Sequence, residues 1–176
     1  MATRNAFYIA AAEKQKTVIL AIEIERKYLV KTIGFLGNLK GTRLLQGYIF
    51  ETEKCVARVR LSHKKAWLTL KGATRGLERE EFEYQIPHKE AHQILTRFCV
   101  GRMVDKTRYE LKDKDFCWEV DVFHGENEGL YLAEVELKTV DQEFILPTWL
   151  GKEVSHDTRY FNSHLALNPY QEWLET

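Results

Sequence analysis

Apolar and polar residues alternate with a period of two along most of this chain. Side chains i and i+2 of a strand share one face, so the alternation predicts strands with two different faces. Such runs fall at roughly 18–30, 43–50, 56–62, 65–71, 80–86, 103–112, 116–124 and 130–138. Glycine-containing turns separate several of them: Gly37 to Gly41, Gly72 to Gly76, and Gly125 to Gly129. One stretch breaks the period. Between Pro87 and Gly101, Ala91, Ile94, Leu95 and Phe98 recur at helical spacing. A second helical region is expected after the last strand, with Asp157 as N-cap and Tyr160, Leu165 and Leu167 packing it down. Short-looped strands with a few helices over them suggest an antiparallel barrel or sandwich, an α+β chain that is mainly β.

The charges follow the same alternation. Glu23, Glu25 and Lys27 share a face, as do Arg58 with Arg60, Glu81 with Glu83, Lys106 with Arg108, Glu119 with Asp121, and Glu134 with Glu136 and Lys138. Lys71 ends the run Trp67-Leu68-Thr69-Leu70. The opposite faces are mostly apolar: Ile22 and Ile24, Ala57 and Val59, Phe82 and Tyr84, Val120 and Val122, Val135 and Leu137. One reading is a half-buried sheet with its charges in water. Like charges grouped strand by strand favour another, in which the charged faces line the inside of a closed barrel. Eight strands leave room there for one small ligand. Buried charges of both signs need partners. A polyanion with divalent cations supplies them: Lys and Arg bind phosphate oxygens, and clustered carboxylates bind Mg²⁺ or Mn²⁺.

Composition narrows the classes. At 176 residues, with 44% hydrophobic side chains, the chain suits one globular domain. We divide it into an N-terminal extension, 1–17, and a single domain, 18–176. Lys plus Arg and Asp plus Glu are both 26, so the net charge of zero argues against a nucleic-acid partner bound by bulk positive charge. No apolar run reaches transmembrane length, so no membrane partner is expected. The run Ala6 to Ala12 faintly resembles a secretory signal, but Glu13 and Lys14 follow at once. Cys55, Cys99 and Cys117 are scattered, which suits a reducing cytoplasm. No GxxxxGK[ST], HExxH or GxSxG occurs. His88 and His92 lie one helical turn apart without an evident third ligand. A homodimer is left open.

Glu23-Ile24-Glu25-Arg26-Lys27 resembles the Glu-x-Glu-x-Lys signature of the CYTH superfamily, the triphosphate tunnel metalloenzymes. The resemblance continues in order through Arg58-Val59-Arg60, Leu68 to Gly72, Glu81-Phe82-Glu83-Tyr84, Lys106-Thr107-Arg108-Tyr109, Glu119 to Phe123 and Ala133 to Leu137. Trp149 to Val154 and Arg159 to Asn162 also resemble short bacterial members. A lone Glu-x-Glu-x-Lys is weak, whereas this ordered series is specific. The signature usually opens the chain, and here 22 residues precede it.

The resemblance implies an eight-stranded antiparallel closed tunnel with a charged interior, and Mg²⁺- or Mn²⁺-dependent hydrolysis of inorganic triphosphate. It implies metal ligation by Glu23, Glu25, Glu134 and Glu136, with Asp121 nearby and a weaker role for Glu81 and Glu83. It implies phosphate binding by Lys27, Arg58, Arg60, Lys71, Lys106 and Arg108. Arg159 is a candidate to close one mouth. Glu23, Glu25, Lys27 and Glu134 form the expected catalytic group, with a metal-activated water attacking a terminal phosphorus and Glu134 a candidate base. Competing readings are an adenylate cyclase, a thiamine or nucleoside triphosphatase, a non-catalytic binder of organic phosphates or polyphosphate, and a structural barrel whose charges pair only with each other.

Overall fold

The computed structural model describes residues 22–174. The expected extension 1–17 and the expected strand start at 18–21 lie outside them. Eight strands match the alternating runs: β1 (Ile22–Val30), β2 (Thr42–Glu51), β3 (Cys55–Ser62), β4 (Ala66–Gly72), β5 (Glu78–Ile86), β6 (Met103–Asp113), β7 (Phe116–Phe123) and β8 (Tyr131–Glu136). They pair antiparallel in the order β5-β4-β3-β2-β6-β7-β8-β1. Pairing of β1 with β5, from Ile22 opposite Glu80 to Ile24 opposite Glu78, closes the barrel. Of the barrel and sandwich expectations, the barrel is the one formed. Its N-terminal strand pairs with β8 along one edge and serves two neighbours along the other. The first residues of β1 pair with β5, and its last pair with a ninth strand, β9 (Leu150–Glu153).

The outward faces are covered on two sides. Helix α1 (His88–Phe98) lies over β2, β3 and β4 and buries Ala91 and Leu95 against Val59 and Ala66. Gly47 on β2 permits this approach: a Cβ there would stand 2.6 Å from Leu95 Cδ2 and 2.7 Å from Cys99 Cβ. Phe98, expected on the packed face, is instead exposed, and the buried residue closing that end is Cys99. On the far side, Tyr28, Trp118, Val120, Ala133 and Val135 form a second core. Phe144 and Trp149, from the chain between β8 and β9, pack over it with their rings edge-on to Trp118.

The third core lies at one end of the barrel. Val104, Phe123, Leu130 and Leu132 receive Leu165 of the short helix α2 (Asn162–Leu165), which is fully buried. Asp157 caps the turn before it by accepting from the Arg159 backbone N–H, as the capping pattern predicts. Leu167, expected to pack, is exposed. At this end apolar residues enclose Leu165, while Asn162 of α2 meets the buried Lys106.

Candidate active site

Alternation in the strands turns the charged faces inward. Glu23, Glu25 and Lys27 of β1, Arg58 and Arg60 of β3, Lys71 of β4, Glu81 and Glu83 of β5, Arg108 of β6, Glu119 of β7, and Glu134 and Glu136 of β8 line one cavity of about 540 Å³. The charges form ion pairs across the lumen, some between adjacent strands (Lys71 with Glu81, Lys27 with Glu134) and some that skip one (Arg58 with Glu81, Arg60 with Glu83, Arg108 with Glu134).

Two networks result. In the first, Lys71 Nζ lies 2.5 Å from Glu23 and 2.6 Å from Glu81. Arg58 reaches Glu81 at 3.3 Å, and Arg60 reaches Glu83 at 3.0 Å. Thr69 Oγ1 donates to Glu83 at 2.9 Å. In the second, Arg108 donates to Asp121, to Glu134 at 2.7 Å and to Glu119. Lys27 lies 2.7 Å from Glu134 and 3.5 Å from Glu25. The Nε–H groups of Arg58 and Arg60 are buried with no acceptor among the described residues, which leaves donors available to an anion.

The carboxyls sit in unequal environments. Burial alone would raise Glu134, but Lys27 and Arg108 overcome it and hold that carboxyl well below the usual range. Both its oxygens accept from cations, so Glu134 is a poor fit to the expected base. It is suited to holding Lys27 and Arg108 in the lumen. Burial raises Glu25, and the nearby Glu134 charge raises it further against the opposing effect of Lys27. Glu25 also stands opposite Glu136 in the β1–β8 register. Like charges directly opposed across strands destabilise a sheet unless a cation lies between them.

This donor set, all carboxylate oxygen, fits a hard divalent cation. Glu25 and Glu136 would hold it, with Glu23 available once Lys71 turns to another anion. Among the described residues, no three acidic, His or Cys side chains stand together at metal-holding distance.

Three expected site residues stand elsewhere. Lys106 and Asp121 do not line the cavity. They form a pair at 2.5 Å, each about 1% exposed, and Lys106 also donates to Asn162 of α2 at 3.2 Å. Asp121 gives its two oxygens to Arg108 and Lys106 in this arrangement. Arg159 lies outside the cavity, paired with Asp157 at 2.6 Å and stacked over Tyr160 and Trp173. The expectation that it closes a mouth is not met in this arrangement. Arg79, Glu119, Thr69 and Asn162 were not among the expected site residues. Glu119 carries the period-two signal of its neighbours, whereas Arg79 lies within the charged run Glu78 to Glu81 that masks it. Asn162 carries none, because its role depends on where α2 enters.

A closed antiparallel barrel with an ion-paired lumen defines a class of anion-binding tunnel. The sequence profile of the CYTH domain matches residues 21–163, and the chain belongs to that family. It is 44% identical over 153 residues to the inorganic triphosphatase of Acetivibrio thermocellus, covering 87% of this chain and 98% of that one. It is 42% identical over 150 residues to the inorganic triphosphatase of Nitrosomonas europaea, covering 83% and 97%. A crystal structure of an inorganic triphosphatase superposes with a TM-score of 0.61 at 40% identity, over 82% of this chain and 94% of that one. A putative adenylate cyclase from Bacillus halodurans shares the fold at 17% identity, with a TM-score of 0.54 over 68% and 83%. No helix among the described residues is long and apolar enough to cross a membrane.

Proposed function

We propose that this protein hydrolyses inorganic triphosphate to phosphate and diphosphate inside its lumen, with Mg²⁺ or Mn²⁺ as cofactor. The observation that carries the reading is the cavity whose wall alternates ion-paired cations and carboxylates, with buried, unpartnered Nε–H donors on Arg58 and Arg60. The naming of two relatives above 40% identity as inorganic triphosphatases supports it. Its three free thiols suit a reducing cytoplasm.

The chain's own residues divide the work. Arg58, Arg60 and Lys71 exchange carboxylate partners for phosphate oxygens, Lys27 and Arg108 bind phosphate oxygens beside the carboxylates that hold them, and their charge stabilises the negative charge that spreads over the transferred group. Glu134 and Asp121 keep Lys27 and Arg108 aimed at the lumen. Glu25, Glu136 and Glu23 would hold the divalent cation, which supplies charge neutralisation and a more acidic water. Water oxygen bonds to a terminal phosphorus as the bridging P–O bond breaks. Diphosphate leaves with the electron pair, and the water's proton passes to solvent.

The test is phosphate release from inorganic triphosphate, with ATP and thiamine triphosphate in parallel, each with Mg²⁺, Mn²⁺ or EDTA. Metal-dependent release from inorganic triphosphate is the expected result. Preference for an organic triphosphate would keep the tunnel chemistry and change the substrate, and no turnover of any would leave a binding protein. Glu25→Gln should lower kcat at least a hundredfold while the melting temperature holds. Retained activity would move the cation elsewhere.

A further inference from the structure

We infer that Arg79 is the residue that captures the triphosphate on entry, by a bidentate contact to one of its phosphoryl groups. The inference rests on the function proposed above and adds a substrate-binding residue outside the signature positions.

Arg79 belongs to the inward face of β5 that also carries Glu81 and Glu83, stands opposite Glu23 in the closing β1–β5 register, and lines the cavity. Every other arginine and Lys27 and Lys71 nearby is held by a carboxylate: Lys27, Arg58, Arg60, Lys71 and Arg108 each have one within 3.5 Å. Arg79 has none among the described residues. Its one hydrogen bond runs from Nε to the Gly72 carbonyl at 2.6 Å. That bond fixes the guanidinium plane and leaves the terminal nitrogens without a partner. Withdrawing a cation from a buried ion pair leaves its carboxylate uncompensated, which is costly. Arg79 can accept an oxyanion without that cost. Its planar fork also matches phosphate geometry, which a lysine point charge does not. Burial lowers its guanidinium against the opposing charge of Glu23, which acts from beyond ion-pairing distance, and Arg58 lowers it further; an anion would relieve both effects.

An anchor that binds before the ion pairs open acts on ground-state binding. Arg79→Ala should raise KM for inorganic triphosphate at least tenfold, with kcat within threefold of wild type. Arg79→Lys should restore only part of the loss. Arg43→Ala, an exposed arginine on the outer face paired with Asp105, should leave both constants unchanged. An unchanged KM in a folded Arg79→Ala protein would overturn the inference, as would a fall in kcat alone. Should the variants fail to fold, the wild-type protein gives a second readout. Phenylglyoxal should label Arg79 faster than Arg58 or Arg60, and inorganic triphosphate should protect it. Labelling that triphosphate does not slow would reject the assignment. Absence of turnover by the wild-type protein would count against the proposed reaction, and the labelling would still decide whether Arg79 binds the anion.

Discussion

Lys106 is almost wholly enclosed, and its ammonium is pushed down to about 8 by burial, against the opposing effect of Asp121. The pair survives there because Asp121 also serves Arg108, and Asn162 completes the lysine's contacts. Removing one member of such a group strands the others. Asp121→Asn should therefore destabilise the fold by about 3–5 kcal/mol, read from urea unfolding. A loss under about 1 kcal/mol would mean that the pair is not a structural hub. This division of labour was only partly legible. Period-two spacing was enough to send Glu23, Glu25, Lys27, Arg58 and Arg60 to one face. It could not separate lumen-facing Arg108 from the enclosed Lys106 two residues away, because that depends on α2. Arg79 was hidden inside Glu78-Arg79-Glu80-Glu81, where a continuous run of charge obscures the alternation.

At the level of elements, the eight long strands were legible from their period-two alternation, which in most of them sets a charged face against an apolar one; β2 carries no charged face. β9 was not, being four residues long and an addition at β1's edge rather than a member of the closed wall. The docking of α1 was half legible. Its apolar spacing predicts a helix, but nothing in the spacing singles out Gly47, and only the close approach of Leu95 and Cys99 explains it. Gly47→Ala should cost about 1–3 kcal/mol through overpacking. Gly37→Ala, where no atom lies within 4 Å of the new Cβ, is the matched comparison and should cost much less. Equal melting temperatures for the two variants would show that α1 can shift outward without loss.

At the scale of the whole molecule, a net charge of zero conceals the main electrostatic feature. The chain balances its charges inside a barrel, where each sign compensates the other until a ligand arrives. Such a lumen could serve as scaffold alone, and the ion pairs are consistent with that. What a scaffold does not explain is the set of groups left uncompensated: the Arg58 and Arg60 Nε–H donors, Arg79, and Glu25 raised opposite Glu136. These are the groups that a polyanion and a cation would satisfy together. Binding both should stabilise the folded state by mass action, about 2.7 kcal/mol at a hundredfold excess over Kd. For a chain of this size that is roughly 5–10 °C in melting temperature. The measurement is thermal unfolding of the Glu25→Gln protein, whose slowed turnover preserves the ligand, with inorganic triphosphate alone, Mg²⁺ alone and both. Triphosphate should raise the melting temperature even in EDTA, because the arginine donors do not need the metal, and the wild-type protein should gain further with Mg²⁺. No shift from any combination, in either protein, would leave the ion-paired lumen as a scaffold and remove the physical basis for a tunnel that binds triphosphate.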